Sequence, residues 1–145
     1  MKFRKARKKD ILQMLNIIKI NSPQYNKKEV LEELNEMFSE SLLKPTYIVL
    51  EDKGKILAFN GYICSWVDNF VVNFFWLNVH PDYMKKGFGF KIVKELIRRI
   101  RDPKETPKAM LITIATKIPT FFKKLGFKTI ARKYDRDYDL MALKV

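Results

Sequence analysis

The sequence predicts a mixed α/β fold: a mostly antiparallel central sheet flanked by about four helices. Three observations carry this. Strand-like apolar runs alternate with stretches of helical spacing. The chain closes on two consecutive strand-like runs, as an antiparallel pair does. Its 145 residues show no internal repeat and no linker, so one domain spanning 1–145 with its own core is expected.

In chain order, Lys2 to Ala6 reads as a short strand. Asp10 then caps a helix, with Gln13 at the third position completing a capping-box pattern. Ile11, Leu12, Leu15 and Ile18 form its apolar stripe, and Ser22-Pro23 breaks it. A second helix is expected from Lys28 to Leu42, with Val30, Leu31, Leu34, Phe38 and Leu42 inward and a Glu-rich outer face. Thr46 to Glu51 is a strand. Asp52-Lys53-Gly54-Lys55 is a hairpin turn in which Gly54 supplies the positive φ. Ile56 to Val67 is the next strand, and Asp68-Asn69 another turn. Phe70 to Val79 is nearly all apolar, as expected of a strand covered on both faces. Gly87 to Arg101 is helical, with Ile92, Val93, Leu96, Ile97 and Ile100 on one side. Ala109 to Ala115 reads as a buried strand. Thr116 caps a short helix ending at Gly126, and Phe127–Tyr134 and Tyr138–Val145 are the final strands.

Composition narrows the functional classes. Lys and Arg number 29 against 16 Asp and Glu, a net charge of +13. The one Cys excludes an internal disulfide and a multi-Cys zinc site, and the one His argues against a His-based metal centre, so no metal is expected. The basic opening is followed by an amphipathic helix broken by Gln13, Asn16 and Lys19, not by a signal core. No stretch is long and apolar enough for a membrane span, so a soluble cytoplasmic protein without a membrane partner is expected. The charge is uneven. Residues 1–9 carry six basic side chains and no acid, whereas Lys27 to Lys44 carry five Glu against three Lys. An excess of this size points to a polyanionic ligand or to a solvated Lys-rich surface.

The most informative segment is FWLNVHPDYMKKGFGFKIVKELI. A buried strand, a Pro stop, a Lys-Lys-Gly-Phe-Gly loop and a helix start follow one another directly. Glycines let the backbone turn sharply and let a ligand approach. The amides from about Lys85 to Phe90 then face outward at the positive end of a helix, where a diphosphate fits. Lys85, Lys86 and Lys91 add charge. Two glycines before a helix also serve a plain tight turn.

This segment resembles the acetyl-CoA-binding motif of the GCN5-related N-acetyltransferases, the GNAT superfamily. The family pattern is a strand ending in Val-x-Pro, then Arg or Gln, two residues, Gly, one residue, and Gly or Ala. Its positions here are Val79, Pro81, Met84, Gly87 and Gly89. Downstream, ATKIPTFFKKLGF resembles the family's helix and turn before a Gly-Phe pair. The opening MKFRKARKKDILQML and the closing YDLMALKV resemble its first and last elements. The resemblance implies a sheet splayed between the fourth and fifth strands and acetyl-CoA as cosubstrate. It places the coenzyme along Leu77, Asn78 and Val79, over Met84, Lys85, Lys86, Gly87, Phe88, Gly89 and Phe90, and against Phe122.

It also implies direct acetyl transfer to a primary amine, with a backbone amide near Asn78 or Val79 on the thioester oxygen. Met84 replaces the usual Arg or Gln at a position that lends mainly its backbone. Aligned on Gly126 and Phe127, the position of the family's general-acid Tyr holds Phe122, which has no proton to give. The strand carboxylate often found in the family is absent, and Asn73 and Asn78 cannot replace it as bases. His80 is the only imidazole, open to a catalytic or a structural role. Cys64 reads as a buried inert thiol or as part of the acceptor site; Tyr62, Trp66 and Tyr134 are candidates to line an acceptor pocket.

Two functions follow. One is an acetyl-CoA-dependent N-acetyltransferase for a small-molecule or peptide amine, with a homodimer possible and nucleic acid not the expected partner. The other is a degenerate module that holds CoA or another polyanion without efficient transfer.

Overall fold

The computed structural model describes residues 1–67, 70–106 and 108–145. The turn expected at Asp68-Asn69 lies outside the described residues. Among the described residues there are seven strands, β1 (Lys2–Lys5), β2 (Thr46–Asp52), β3 (Lys55–Cys64), β4 (Val71–Val79), β5 (Leu111–Thr116), β6 (Lys128–Asp135) and β7 (Tyr138–Lys144), and four helices, α1 (Ile11–Asn21), α2 (Lys27–Asn35), α3 (Phe88–Ile100) and α4 (Pro119–Lys123). The strands form one sheet in the order β1-β2-β3-β4-β5-β7-β6, antiparallel except for the parallel β4–β5 pair. No described helix is long and apolar enough to cross a membrane.

The chain divides into two compact units, one of residues Met1–Gly61 and Trp76–Leu96, the other of Tyr62–Phe75 and Ile97–Val145. In the first, β1 pairs antiparallel with β2 from Lys2↔Glu51 to Lys5↔Ile48. Lys53 (φ 48°) and Gly54 (φ 82°) both take the left-handed backbone of a type I′ turn, whose twist matches a hairpin. Helix α1 packs against α2 and buries Ile11, Met14, Leu15, Ile17 and Ile18. Leu12, expected in that stripe, is exposed. At 3.6 residues per turn the buried side chains span an arc of about 160°, and Leu12 falls outside it. The expected capping box is also replaced. Asp10 sits at the third position of a 3₁₀ turn (Lys8–Asp10) and accepts from the Arg7 amide at 2.6 Å. Gln13 instead donates to the Gly54 carbonyl (3.0 Å) and accepts from the Ile56 amide (2.9 Å).

Asn26 starts α2 by accepting from the amides of Lys28 and Glu29. The helix stops at Asn35, short of the expected Leu42; Glu36–Phe38 form a 3₁₀ turn, and both Phe38 and Leu42 are exposed. Ser39 and Ser41 explain the early end. The Ser39 hydroxyl bonds the Glu36 carboxylate and accepts from the Ser41 amide, local bonds that compete with a helix.

In the second unit β5 pairs antiparallel with β7, and β7 with β6. The parallel ladder runs from Val71↔Leu111 to Phe74↔Ile114 and stops there. The expectation that β4 is covered on both faces does not hold. Val72 and Phe74 are buried, but Asn73 between them is exposed and accepts from the Thr113 hydroxyl across the ladder. Strand β5 begins at Leu111, two residues after the expected start. Helix α4 packs on β6 and β7; it is shorter than expected, with Ile118 and not Thr116 at its start and Lys123 at its end, and Gly126 (φ 95°) closes the turn that follows.

Candidate active site

The stretch from the end of β4 into α3 lies wholly in the first unit and is built from local rules. Within β4, Trp76 has φ 52°, a left-handed backbone that a bulky residue adopts only under constraint. Asn78 beyond it is buried. The Asn21 side-chain amide, at the end of α1, donates to Asn78 Oδ1 and to the Val79 carbonyl, both at 3.0 Å.

His80 then ends the strand. Its amide donates to the Leu57 carbonyl (2.8 Å), and its Nδ1 accepts from the Asp82 amide (3.1 Å). The imidazole thus caps the 3₁₀ turn Pro81–Tyr83, with its ring edge-on to Tyr83.

Met84 is extended, and Lys85 (φ 60°) and Gly87 (φ 82°) turn the chain into α3. The Lys91 amide reaches the Gly87 carbonyl at 3.1 Å, so Gly87 stands at the helix cap. Among the described residues, the amides of Lys85, Lys86, Gly87, Phe88 and Gly89 make no hydrogen bond to protein. A β-carbon built on Gly87 meets nothing within 4 Å, so the loop is open above it. Unused amides at a positive helix end beside exposed lysines match the donor set a diphosphate requires. Lys55, which sequence reasoning used only as a turn residue, joins this group. Its Nζ stands 5.0 Å from the Tyr83 ring centre, and Lys86 Nζ stands 5.2 Å from the same ring. Lys91 lies over Phe88 at 5.4 Å.

The other candidates lie in the second unit. Phe122 is 1% exposed and packs edge-to-face with Phe121 (5.0 Å) and Phe127 (5.4 Å). Its surroundings are aromatic rings, those of a core residue. Burial pushes the Cys64 thiol above its ordinary value, away from the reactive thiolate. Tyr62 is buried, whereas Trp66 and Tyr134 are exposed. Sequence reasoning missed the left-handed Trp76, Asn21 and, on α2, Glu33, whose Oε2 accepts from Trp76 Nε1 at 2.8 Å. No local pattern announces contacts so far apart in the chain.

The architecture is that of known acetyltransferases. An aminoglycoside 6′-N-acetyltransferase crystallised with coenzyme A superimposes with a TM-score of 0.79 at 15% identity, over 99% of this chain and 97% of that one. The aminoglycoside 6′-N-acetyltransferase of Enterococcus faecium gives 0.77 at 15% identity, over 99% and 97%. A GNAT-family acetyltransferase of Staphylococcus aureus gives 0.75 at 16%, over 99% and 98%. No curated protein matches the chain. Residues 44–129 match the acetyltransferase (GNAT) domain family, a span that holds β2 to α4 and the whole β4–α3 loop. With more than half its length inside that family's domain, the chain belongs to the GNAT acetyltransferases.

Proposed function

We propose that the chain is an acetyl-CoA-dependent N-acetyltransferase that acts on a primary amine by direct attack. The observation that carries this reading is the loop from Lys85 to Gly89, whose amides are unengaged and whose backbone opens at Gly87. Family membership and a structural neighbour crystallised with coenzyme A support it. Acetyl-CoA supplies a thioester activated toward amines.

The chain's own residues have three tasks. The amides and lysines of the loop, with Lys55, hold the diphosphate. The backbone of Leu77 to Val79 lies beside the pantetheine arm, with Met84 and Phe88 to Phe90 at the loop's rim. An amide near Asn78 or Val79 donates to the thioester oxygen as charge develops on it. Phe122 has no part in this chemistry beyond packing, and no side chain of β4 is a base, so proton transfer falls to water or to the acceptor's own surroundings.

Gly89→Glu tests the site. It places a carboxylate in the first turn of α3, where phosphates must come. CoA affinity measured by calorimetry is expected to fall at least ~10-fold, about 1.4 kcal/mol; unchanged affinity in a folded variant removes the assignment. Thiol release from acetyl-CoA with an amine library tests transfer itself. The missing acid at Phe122 favours one alternative, a module that binds CoA without turnover, and CoA binding with no thiol release from any amine would establish it.

A further inference from the structure

The proposed transfer leaves one edge of the sheet without a task. Strand β6 is that edge, in the second unit, with β7 on one side of it and no strand on the other. Exposure alternates along it. Lys128, Ile130, Arg132 and Tyr134 are exposed, while Thr129 and Ala131 between them are half-buried. Lys133 is exposed too, as are Lys123 and Lys124 at the end of α4, the helix that packs on β6. Residues 116–134 hold six basic side chains and no acid. Lys117 pairs with Asp137 at 3.6 Å. Among the described residues the other five, Lys123, Lys124, Lys128, Arg132 and Lys133, make no ion pair. The acids that follow them are engaged: Asp135 faces Arg136 at 3.4 Å, and Asp139 accepts from the Lys133 amide at 3.0 Å.

We propose that the β6 edge, with the end of α4, is a docking surface for single-stranded RNA. The surface stands apart from the transfer reading and binds without it. Lysines that merely guard an edge strand against pairing need no apolar neighbours. Here Ile130 and Tyr134, 58% and 59% exposed, stand in one row with Lys128 and Arg132. A further β-strand is a poor occupant. The register shifts between Thr129 and Ala131 and between Ala131 and Asp135, and Lys133 (φ 46°) is left-handed, so the edge is interrupted. The complement of a row that alternates cations with apolar and aromatic groups is an anionic backbone bearing flat apolar faces. Unpaired nucleotides supply both: phosphates for the five cations, and a base to stack on Tyr134. An acidic peptide brings carboxylates without a flat face at each step, and a duplex hides its base faces. Bases free to stack in this way are the ordinary state of RNA loops and ends. The sequence does not point to nucleic acid, because the row shows only once exposure along β6 is known.

The test titrates the full chain into a fluorescein-labelled RNA of about 12 uridines and follows anisotropy at several salt concentrations. Binding should be saturable. With five phosphates engaged, log affinity should fall against log salt with a slope of about −3.5. Arg132→Glu combined with Lys133→Glu should weaken binding at least ~10-fold, with circular dichroism unchanged. The same charge change at the exposed Lys8 and Lys9 should cost far less. Tyr134→Ala should weaken binding at least ~5-fold and leave the salt slope as it was, because stacking releases no counterions. Equal losses from the two charge-reversed pairs would make the binding a property of net charge and overturn the surface. An unmoved affinity in Tyr134→Ala, or a duplex of the same length bound as tightly, would overturn unpaired bases as the occupant. Displacement of the RNA by polyglutamate at equal charge would transfer the surface to an acidic protein, and tighter binding to the matching thymidine DNA would transfer it to DNA. Each of these results leaves the transfer reading intact.

Discussion

Arg4 and Asp10 are joined by two charge-assisted hydrogen bonds, Nη1 to Oδ2 at 2.6 Å and Nη2 to Oδ1 at 3.0 Å, and the same guanidinium also holds Glu51 at 2.7 Å. Burial pushes the Asp10 carboxyl up, but the Arg4 bonds and the Arg7 amide outweigh it and keep it below its ordinary 3.8. A depressed carboxyl stabilises the fold fully above its unfolded pKa and loses that stabilisation as pH falls through the folded one. Stability should therefore be level near neutrality and fall only below about pH 4. Arg4→Leu leaves the Asp10 carboxylate buried without its partner, at an expected cost of about 3–5 kcal/mol. In that variant the Arg7 amide still opposes burial but the Arg4 bonds are gone, so the Asp10 pKa rises and the deficit should shrink as pH is lowered toward 4. Urea unfolding of both proteins at several pH values checks this, and a deficit independent of pH would contradict it.

Phe122→Tyr inserts a hydroxyl among Phe121 and Phe127 at a site 1% exposed. The expected result is a loss of about 1–3 kcal/mol, the cost of a buried unpaired hydroxyl, with no gain in thiol release. Thermal unfolding and turnover measured on one preparation decide it. Higher turnover at undiminished stability would place position 122 at the thioester after all.

His80→Asn keeps a side-chain acceptor for the Asp82 amide, and His80→Ala removes it. If the ring is a cap and no more, the Asn variant should retain turnover at all pH values. The Ala variant should lose about 1 kcal/mol of stability, the usual worth of a capping bond. A basic limb of the pH–rate profile abolished by His80→Asn would instead make the imidazole a proton acceptor.

Lys55 and Lys86 face one Tyr83 ring from separate segments, so either alone should still attract a polyanion. Lys55→Gln and Lys86→Gln are each expected to weaken CoA by a few-fold at low salt and by less as ionic strength rises, because exposed charges are screened beyond about 10 Å at 0.1 M. Calorimetric titrations at two salt concentrations measure this. A loss that does not depend on salt would assign the lysines to direct, desolvated contacts.

What the sequence made legible was whatever a short window determines. Gly54 after Asp52-Lys53 signalled a hairpin turn with a positive φ at the glycine, and the spacing of Ile92, Val93, Leu96, Ile97 and Ile100 dictated a helix with that face buried. The strand, Pro and glycine loop before α3 was readable for the same reason. Leu12 and Leu42 misled because an apolar residue in phase with a helix need not meet a neighbour, and only tertiary packing decides that. The left-handed backbone of Trp76 contradicts its residue type, and its bond to Glu33 joins residues 43 positions apart, so neither had a local signal. Asn73 made β4 look no more polar than a covered strand, yet one face is open there.

The parallel ladder between β4 and β5 has a kinetic consequence. Val71 and Leu111 are 40 residues apart, and the connection between them carries the His80 turn, the Lys85–Gly89 loop and α3. The β6–β7 hairpin, by contrast, closes through two residues. Closing a long loop carries an entropic penalty before any contact offsets it, so the local hairpins should form early and the β4–β5 pairing late. On the proposed reading the coenzyme loop lies inside this long connection, and its final setting against the sheet should come with the late β4–β5 pairing. Bound coenzyme should accordingly slow unfolding while leaving the refolding rate almost unchanged, so that in a chevron plot only the unfolding arm moves.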